Sequence, residues 1–307
     1  MVHVNNFSYG ALNPVLAYVM SCAGCFLGLR CATRGYAYRG MARVRWLILA
    51  TVAIATTGIW VMHFIAMLGF TIPGQTIRYS VPVTILSMLI AVVVVGIGLF
   101  IVGFSGKGAW PLLLGGVIVG CGVASMHYIG MAAIRAPDTL TYNPVLVSAS
   151  VVIAVIAGTA ALWAALRLDS AWSALVASMI MGVAVSGMHY TGMAALRVYS
   201  DPGLATNAHG GASAEAFLLP LILGIGIVAF ILSAVVSLAP TAAEIFDEAS
   251  LMALIDRPLH QSQPPQRDRH PQRDSAGPGQ AGPETDGLPE PGSLFRDHQP
   301  RGKHEEG

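Results

Sequence analysis

Between residues 12 and 239 the chain alternates long apolar runs with short polar breaks. Seven runs stand out, at about 12–30, 46–70, 81–104, 110–134, 144–166, 172–196 and 217–239, and no Asp, Glu or Lys interrupts any of them. A helix needs roughly 20 apolar residues to cross the hydrocarbon core of a bilayer, so the pattern predicts seven transmembrane helices. The first run does not read as a cleaved leader, because no basic segment precedes it and the residues after it are basic and then apolar again.

Composition agrees with a bilayer as solvent. Of 307 residues, 54% are hydrophobic and 11% charged, where a soluble domain carries about 25% charged residues. The net charge of +1 offers nothing to a nucleic acid. Charge position is more informative. Arg30, Arg34, Arg39, Arg43 and Arg45 follow the first run, and Lys107 and Arg167 follow the third and fifth. The opposite side holds Arg78, Arg135 and Arg197, and no Lys or Arg precedes the first run. The positive-inside rule then predicts an outside N-terminus and a cytoplasmic C-terminus in the cell membrane.

The last stretch differs. Residues 258–307 hold nine of the 18 prolines and few aliphatics, a composition that predicts disorder. His260, His270, His298 and His304 lie there and are expected to be solvated. The organisation is therefore an N-terminal segment at 1–11, six helices over 12–200, a loop and seventh helix over 201–239, and a cytoplasmic Pro/Gly-rich tail at 240–307.

An internal repeat orders the helices. The strings "VMHFIAMLG", "SMHYIGMAA" and "GMHYTGMAA" place His63, His127 and His189 near the ends of the second, fourth and sixth runs. "NPVL" opens both the first and the fifth run, and "MAAIR" at Met131 matches "MAALR" at Met193. The expected fold is an all-α membrane protein of three two-helix repeats plus a seventh helix. All even helices run outward, so the three motifs share one depth in the outer half, His63 roughly 8–10 Å below the surface at 1.5 Å per residue.

On a helix, His and the second Met of each motif are four apart and share a face, pairing His63 with Met67, His127 with Met131 and His189 with Met193. Met62, Met126 and Met188 flank them. The small residues Ala66, Gly130 and Gly192 follow each His by three and permit close helix approach. This turns the motif face inward. Three imidazoles with up to six soft thioethers favour copper, Cu(I) in particular, and no carboxylate is present to attract Mg or Ca. Haem with His and Met ligands is the alternative cofactor. The plainer reading is packing, with Met as filler and His bonded to a neighbouring helix, but the only three span histidines of nine all lie in the motif. The aromatic after each His, Phe64, Tyr128 or Tyr190, suits either a group that orients the imidazole or its ligand or an interfacial belt. Cys22, Cys25, Cys31 and Cys121 read as packing or reduced thiols, although Cys22 and Cys25 form C-x-x-C.

At these residues the chain resembles the MHYT family of bacterial integral-membrane sensor domains. "MHYT" stands at Met188–Thr191, with "MHFI" at 62–65 and "MHYI" at 126–129. That resemblance covers about residues 10–200, or up to 240 with the seventh helix. It implies sensing of a diatomic gas (oxygen, carbon monoxide or nitric oxide) through copper held by His63, His127, His189, Met62, Met67, Met126, Met131, Met188 and Met193. Ile65 and Ile129 depart at the Thr position and Phe64 at the Tyr position, none of them an implied ligand. Many members carry cyclic-di-GMP or kinase domains. Here only a tail of about 65 residues follows, so the expectation is a non-enzymatic sensor, embedded in lipid, that signals through a cytoplasmic partner or the tail. The alternatives are a copper transport or handling protein and a metal-free structural anchor. A retinal photoreceptor is excluded, since no run contains a Lys for a Schiff base.

Overall fold

The computed structural model describes residues 4–73, 75–105, 108–136, 138–168, 170–200 and 211–238. The tail expected to be disordered, with its four histidines, lies outside the described residues, as does Lys107. Seven helices account for the seven apolar runs: α1 Leu12–Ala37, α2 Gly40–Leu68, α3 Val81–Ser105, α4 Ala109–Ala132, α5 Pro144–Arg167, α6 Ala171–Ala195 and α7 Ala214–Leu238. Each contains a stretch long and apolar enough to cross a bilayer, and the chain is a multi-pass membrane protein.

The first connection differs from expectation. α1 continues seven residues past the expected end at 30, and α2 starts at Gly40, so only Tyr38 and Arg39 separate them. Arg30 and Arg34 therefore belong to α1, and Arg43 and Arg45 to α2, rather than to a loop. Aromatic and carbonyl partners allow the arginines to stay helical. The Arg34 guanidinium lies 5.2 Å from the centre of the Trp46 ring. Arg43 donates from Nε to the Tyr38 carbonyl at 2.9 Å and sits 5.8 Å from the Phe104 ring centre. The reversal uses Gly40 at φ +60°, a left-handed conformation that costs glycine little.

The repeated "NPVL" folds in two ways. Asn143 caps α5, its side-chain oxygen accepting from the backbone N–H of Val145 at 2.9 Å and Leu146 at 3.4 Å, with Pro144 opening the helix. Asn13 instead lies inside α1, buried, and donates from Nδ2 to the Ile65 carbonyl of α2 at 3.0 Å.

The first six helices form a ring in chain order, each packing on the next, and α6 closes against α1. α7 stands outside the ring against α1 and α2. With this cover, most of the apolar stretch of α2 is buried while most of that of α7 is not. Within α2, Ala53–Val61 is wound as a π-helix, whereas α4 and α6 are α-helical throughout. The π segment meets α1 at glycine: a Cβ on Gly24 would collide with the backbone of Thr57 and Gly58. Ser21 of α1 donates to the Gly58 carbonyl at 2.7 Å.

Where α2, α4 and α6 end, short extended segments tie the repeats together in pairs, a feature the apolar pattern did not announce. β1 (Arg78–Tyr79) pairs with β2 (Ile134–Arg135), linking repeats one and two, and with β5 (Ala212–Ser213) just before α7. β3 (Asp138–Tyr142) runs antiparallel to β4 (Leu196–Ser200), linking repeats two and three. The N-terminal segment joins one and three. Asn5 exchanges backbone bonds with Thr71 at 3.0 and 2.8 Å, and the Phe7 ring stacks on Tyr190 with centroids 5.5 Å apart.

Candidate metal centre

Each motif histidine sits five or six residues before the end of its helix, at the same level of the ring. The inward face predicted from the small residues brings the three imidazoles into mutual contact. Nδ1 of His63 lies 3.0 Å from Nδ1 of His189 and 3.2 Å from that of His127, and the third side of the triangle is 3.3 Å. The rings stand at 74–90° to one another, edge to face, and all three are buried. Among the described residues this is the one cluster of three His, Cys, Asp or Glu side chains placed to share an ion.

The geometry resists satisfaction by hydrogen bonds alone. An imidazole nitrogen either carries a proton and donates, or carries a lone pair and accepts. With three nitrogens and two characters, at least one pair must face like to like. A cation at the centre removes the conflict by taking all three lone pairs. The centre of the triangle lies about 1.8 Å from each Nδ1, near the 2.0–2.1 Å of an imidazole–zinc bond. The donor set and spacing therefore fit a small transition-metal ion.

The small residues have a specific task. A Cβ on Gly130 would fall 2.5 Å from Nε2 of His63, and one on Gly192 would collide with Nε2 of His127. Each glycine thus seats the imidazole of the preceding repeat, where the sequence suggested only close helix approach. Nε2 of His63 and of His127 are buried without a hydrogen-bond partner. Those two rings are held by shape rather than by the acceptor that usually fixes a metal-bound imidazole.

The six methionines, Met62, Met67, Met126, Met131, Met188 and Met193, are all at most 2% exposed and belong to the same core. The aromatics differ by repeat. Phe64 packs its ring on Trp60, His63 and Tyr79. The Tyr128 hydroxyl bonds Ser150 at 2.6 Å while its ring edge supports His127. The Tyr190 hydroxyl is buried without a partner. Neither tyrosine hydroxyl bonds an imidazole, so any support reaches the cluster through the rings. Cys25 is buried against Gly58, and Cys22 is half-buried beside Gly182. Cys31 is buried, while Cys121, expected to pack, is exposed on α4.

The chain is 37% identical over 193 residues to the bifunctional diguanylate cyclase/cyclic di-GMP phosphodiesterase MucR of Pseudomonas aeruginosa, covering 61% of this chain and 28% of that protein. It is 35% identical over 228 residues to the cyclic di-GMP phosphodiesterase NbdA of the same organism, covering 72% and 28%. It is 31% identical over 209 residues to the signaling protein YkoW of Bacillus subtilis, covering 65% and 25%. The matches thus span about a quarter of each relative's length. No solved structure matches the chain. Residues 57–116, 120–178 and 182–246 each match the family described as "MHYT: Bacterial signalling protein N terminal repeat". The family frame starts each copy in an even helix and ends it in or beyond the next odd one, so α7 completes the third copy while α1 takes the ring place beside α6. Three consecutive matches across more than half of the chain establish that it belongs to the MHYT family of bacterial signalling repeats.

Proposed function

We propose that the chain is a non-enzymatic membrane sensor in which His63, His127 and His189 hold one copper ion, through which a diatomic gas or a redox change is read. The observation that carries this reading is the buried triangle of Nδ1 atoms, 3.0–3.3 Å on a side, in which one pair must face like to like. The family matches support a signalling role. The buried thioethers of the six motif methionines favour copper, since sulfur is soft. Imidazoles already in contact favour a single ion over a haem, which would have to stand between them.

In this reading the ion supplies a redox-active centre with room for an exogenous ligand. The protein holds the three lone pairs convergent, seats two rings on Gly130 and Gly192, and keeps water away with the ties between repeats. With the N-terminus outside, as the arginine distribution predicts, the site lies in the outer half of the cell membrane and the read-out reaches the cytoplasm. By analogy with relatives named as cyclic di-GMP enzymes, the partner there belongs to cyclic-di-GMP signalling.

The test is metal content per chain on detergent-purified protein reconstituted with Cu(I), beside the variant with all three histidines changed to Ala. About one copper in the first and none in the second is expected. No stoichiometric metal in either sinks the reading and leaves the motif as a helix-docking device. Copper handling is the second reading, favoured by the sulfurs of Cys25, Met181 and Met188 along one internal cavity. Copper uptake into vesicles carrying the protein would select it.

A further inference from the structure

On the side of the triad away from the ties, the six-helix ring encloses a cavity of about 50 Å³. Ile59, Val123 and Val185 line it, and each stands four residues before a motif histidine. All three repeats thus contribute a wall one helical turn from their imidazole. Met188, the neighbour of His189, lines it as well. Every side chain around the cavity is aliphatic or carries sulfur. Such a cavity stays dry, because a buried water needs two to four polar partners. An engineered apolar cavity of about 150 Å³ takes benzene or xenon. A third of that volume suits a molecule of two or three heavy atoms.

Among the described residues, the other face of the triad is bounded by the ties between repeats. β1 with β2, β3 with β4, and the N-terminal segment with Thr71 and Tyr190 close the ends of the three repeats in pairs. We propose that this cavity is the docking site for the ligand of the metal centre, a neutral apolar molecule the size of dioxygen, nitric oxide or carbon monoxide. The inference rests on the copper reading for what the ligand meets, but the cavity can be tested without metal.

Xenon is the probe. The full chain in nanodiscs should show a saturable protein-bound signal by xenon-129 saturation-transfer NMR. Val123→Phe should weaken xenon binding at least tenfold by filling the space. Ala154→Leu fills it more gently in case the first variant fails to fold, and Val185→Ala, which enlarges the cavity, should retain the signal. In Cu(I)-loaded protein, Val123→Phe should keep its copper yet bind carbon monoxide at least tenfold more weakly. No bound xenon in the wild type, or equal xenon binding in both filled variants, overturns the docking site. Bound xenon with no copper in the wild type overturns the metal reading alone.

Discussion

Gly130→Ala adds one methyl group at the seat of His63. The new Cβ would stand 2.5 Å from Nε2 and 3.1 Å from Cδ2, where ordinary contact begins at 3.4 Å. The ring or the helix must therefore move by about 0.9 Å. Ligand bonds to a metal tolerate only about 0.2 Å, so the Nδ1 of His63 leaves its place in the triangle. Overpacking of this kind costs about 1–3 kcal/mol of stability. Metal affinity should fall about 10–100-fold, the loss seen when a ligating side chain loses its support. A Cu(I) competition titration with a chromogenic chelator reads the affinity, and thermal unfolding in detergent reads the stability. Gly187→Ala is the control, two residues before His189 on α6 with nothing within 4 Å of the added Cβ. There the change should be neutral or stabilising by about 0.5–1 kcal/mol. If Gly130→Ala holds copper as tightly as Gly187→Ala, the seat has no bearing on the site and the reasoning fails.

Tyr128→Phe should lower stability by about 1 kcal/mol through the lost bond to Ser150, while Tyr190→Phe, whose hydroxyl has no partner, should not; matched melting curves compare them, and equal losses would contradict the assignment. Asn13→Ala removes the buried bond to the Ile65 carbonyl and should cost about 1–2 kcal/mol by thermal unfolding, whereas Asn143→Ala should cost about 1 kcal/mol as a lost cap. Gly24→Val drives a branched side chain into the π segment at Gly58 and should destabilise by about 3 kcal/mol or more. A wild-type melting point in that variant would show that α1 and α2 do not cross there.

The apolar runs located all seven helices because the bilayer demands their length, and the spacing of the three histidines placed them on one level. Their meeting was legible because Gly130 and Gly192 marked the inward face. What those glycines touch was not, since a small residue announces room without saying for what. The end of α1 was missed because Arg34 and Arg43 read as loop on hydropathy, and only Trp46, Tyr38 and Phe104 show how helical arginines are accommodated. The ties were missed because two-residue strands such as Arg78–Tyr79 carry no periodicity. The contrast between Asn13 and Asn143 lay beyond any local pattern: identical four-residue strings differ by which helix stands opposite.

Parity gives the triplication a consequence of its own. Two imidazoles, or four in a circle, can alternate giver and receiver and rest content without a guest. An odd circle cannot, however its protons are arranged. Assembling the cluster from three copies rather than two or four therefore leaves one contact in which like faces like. The surrounding ring of helices and the ties between repeats hold that contact in place.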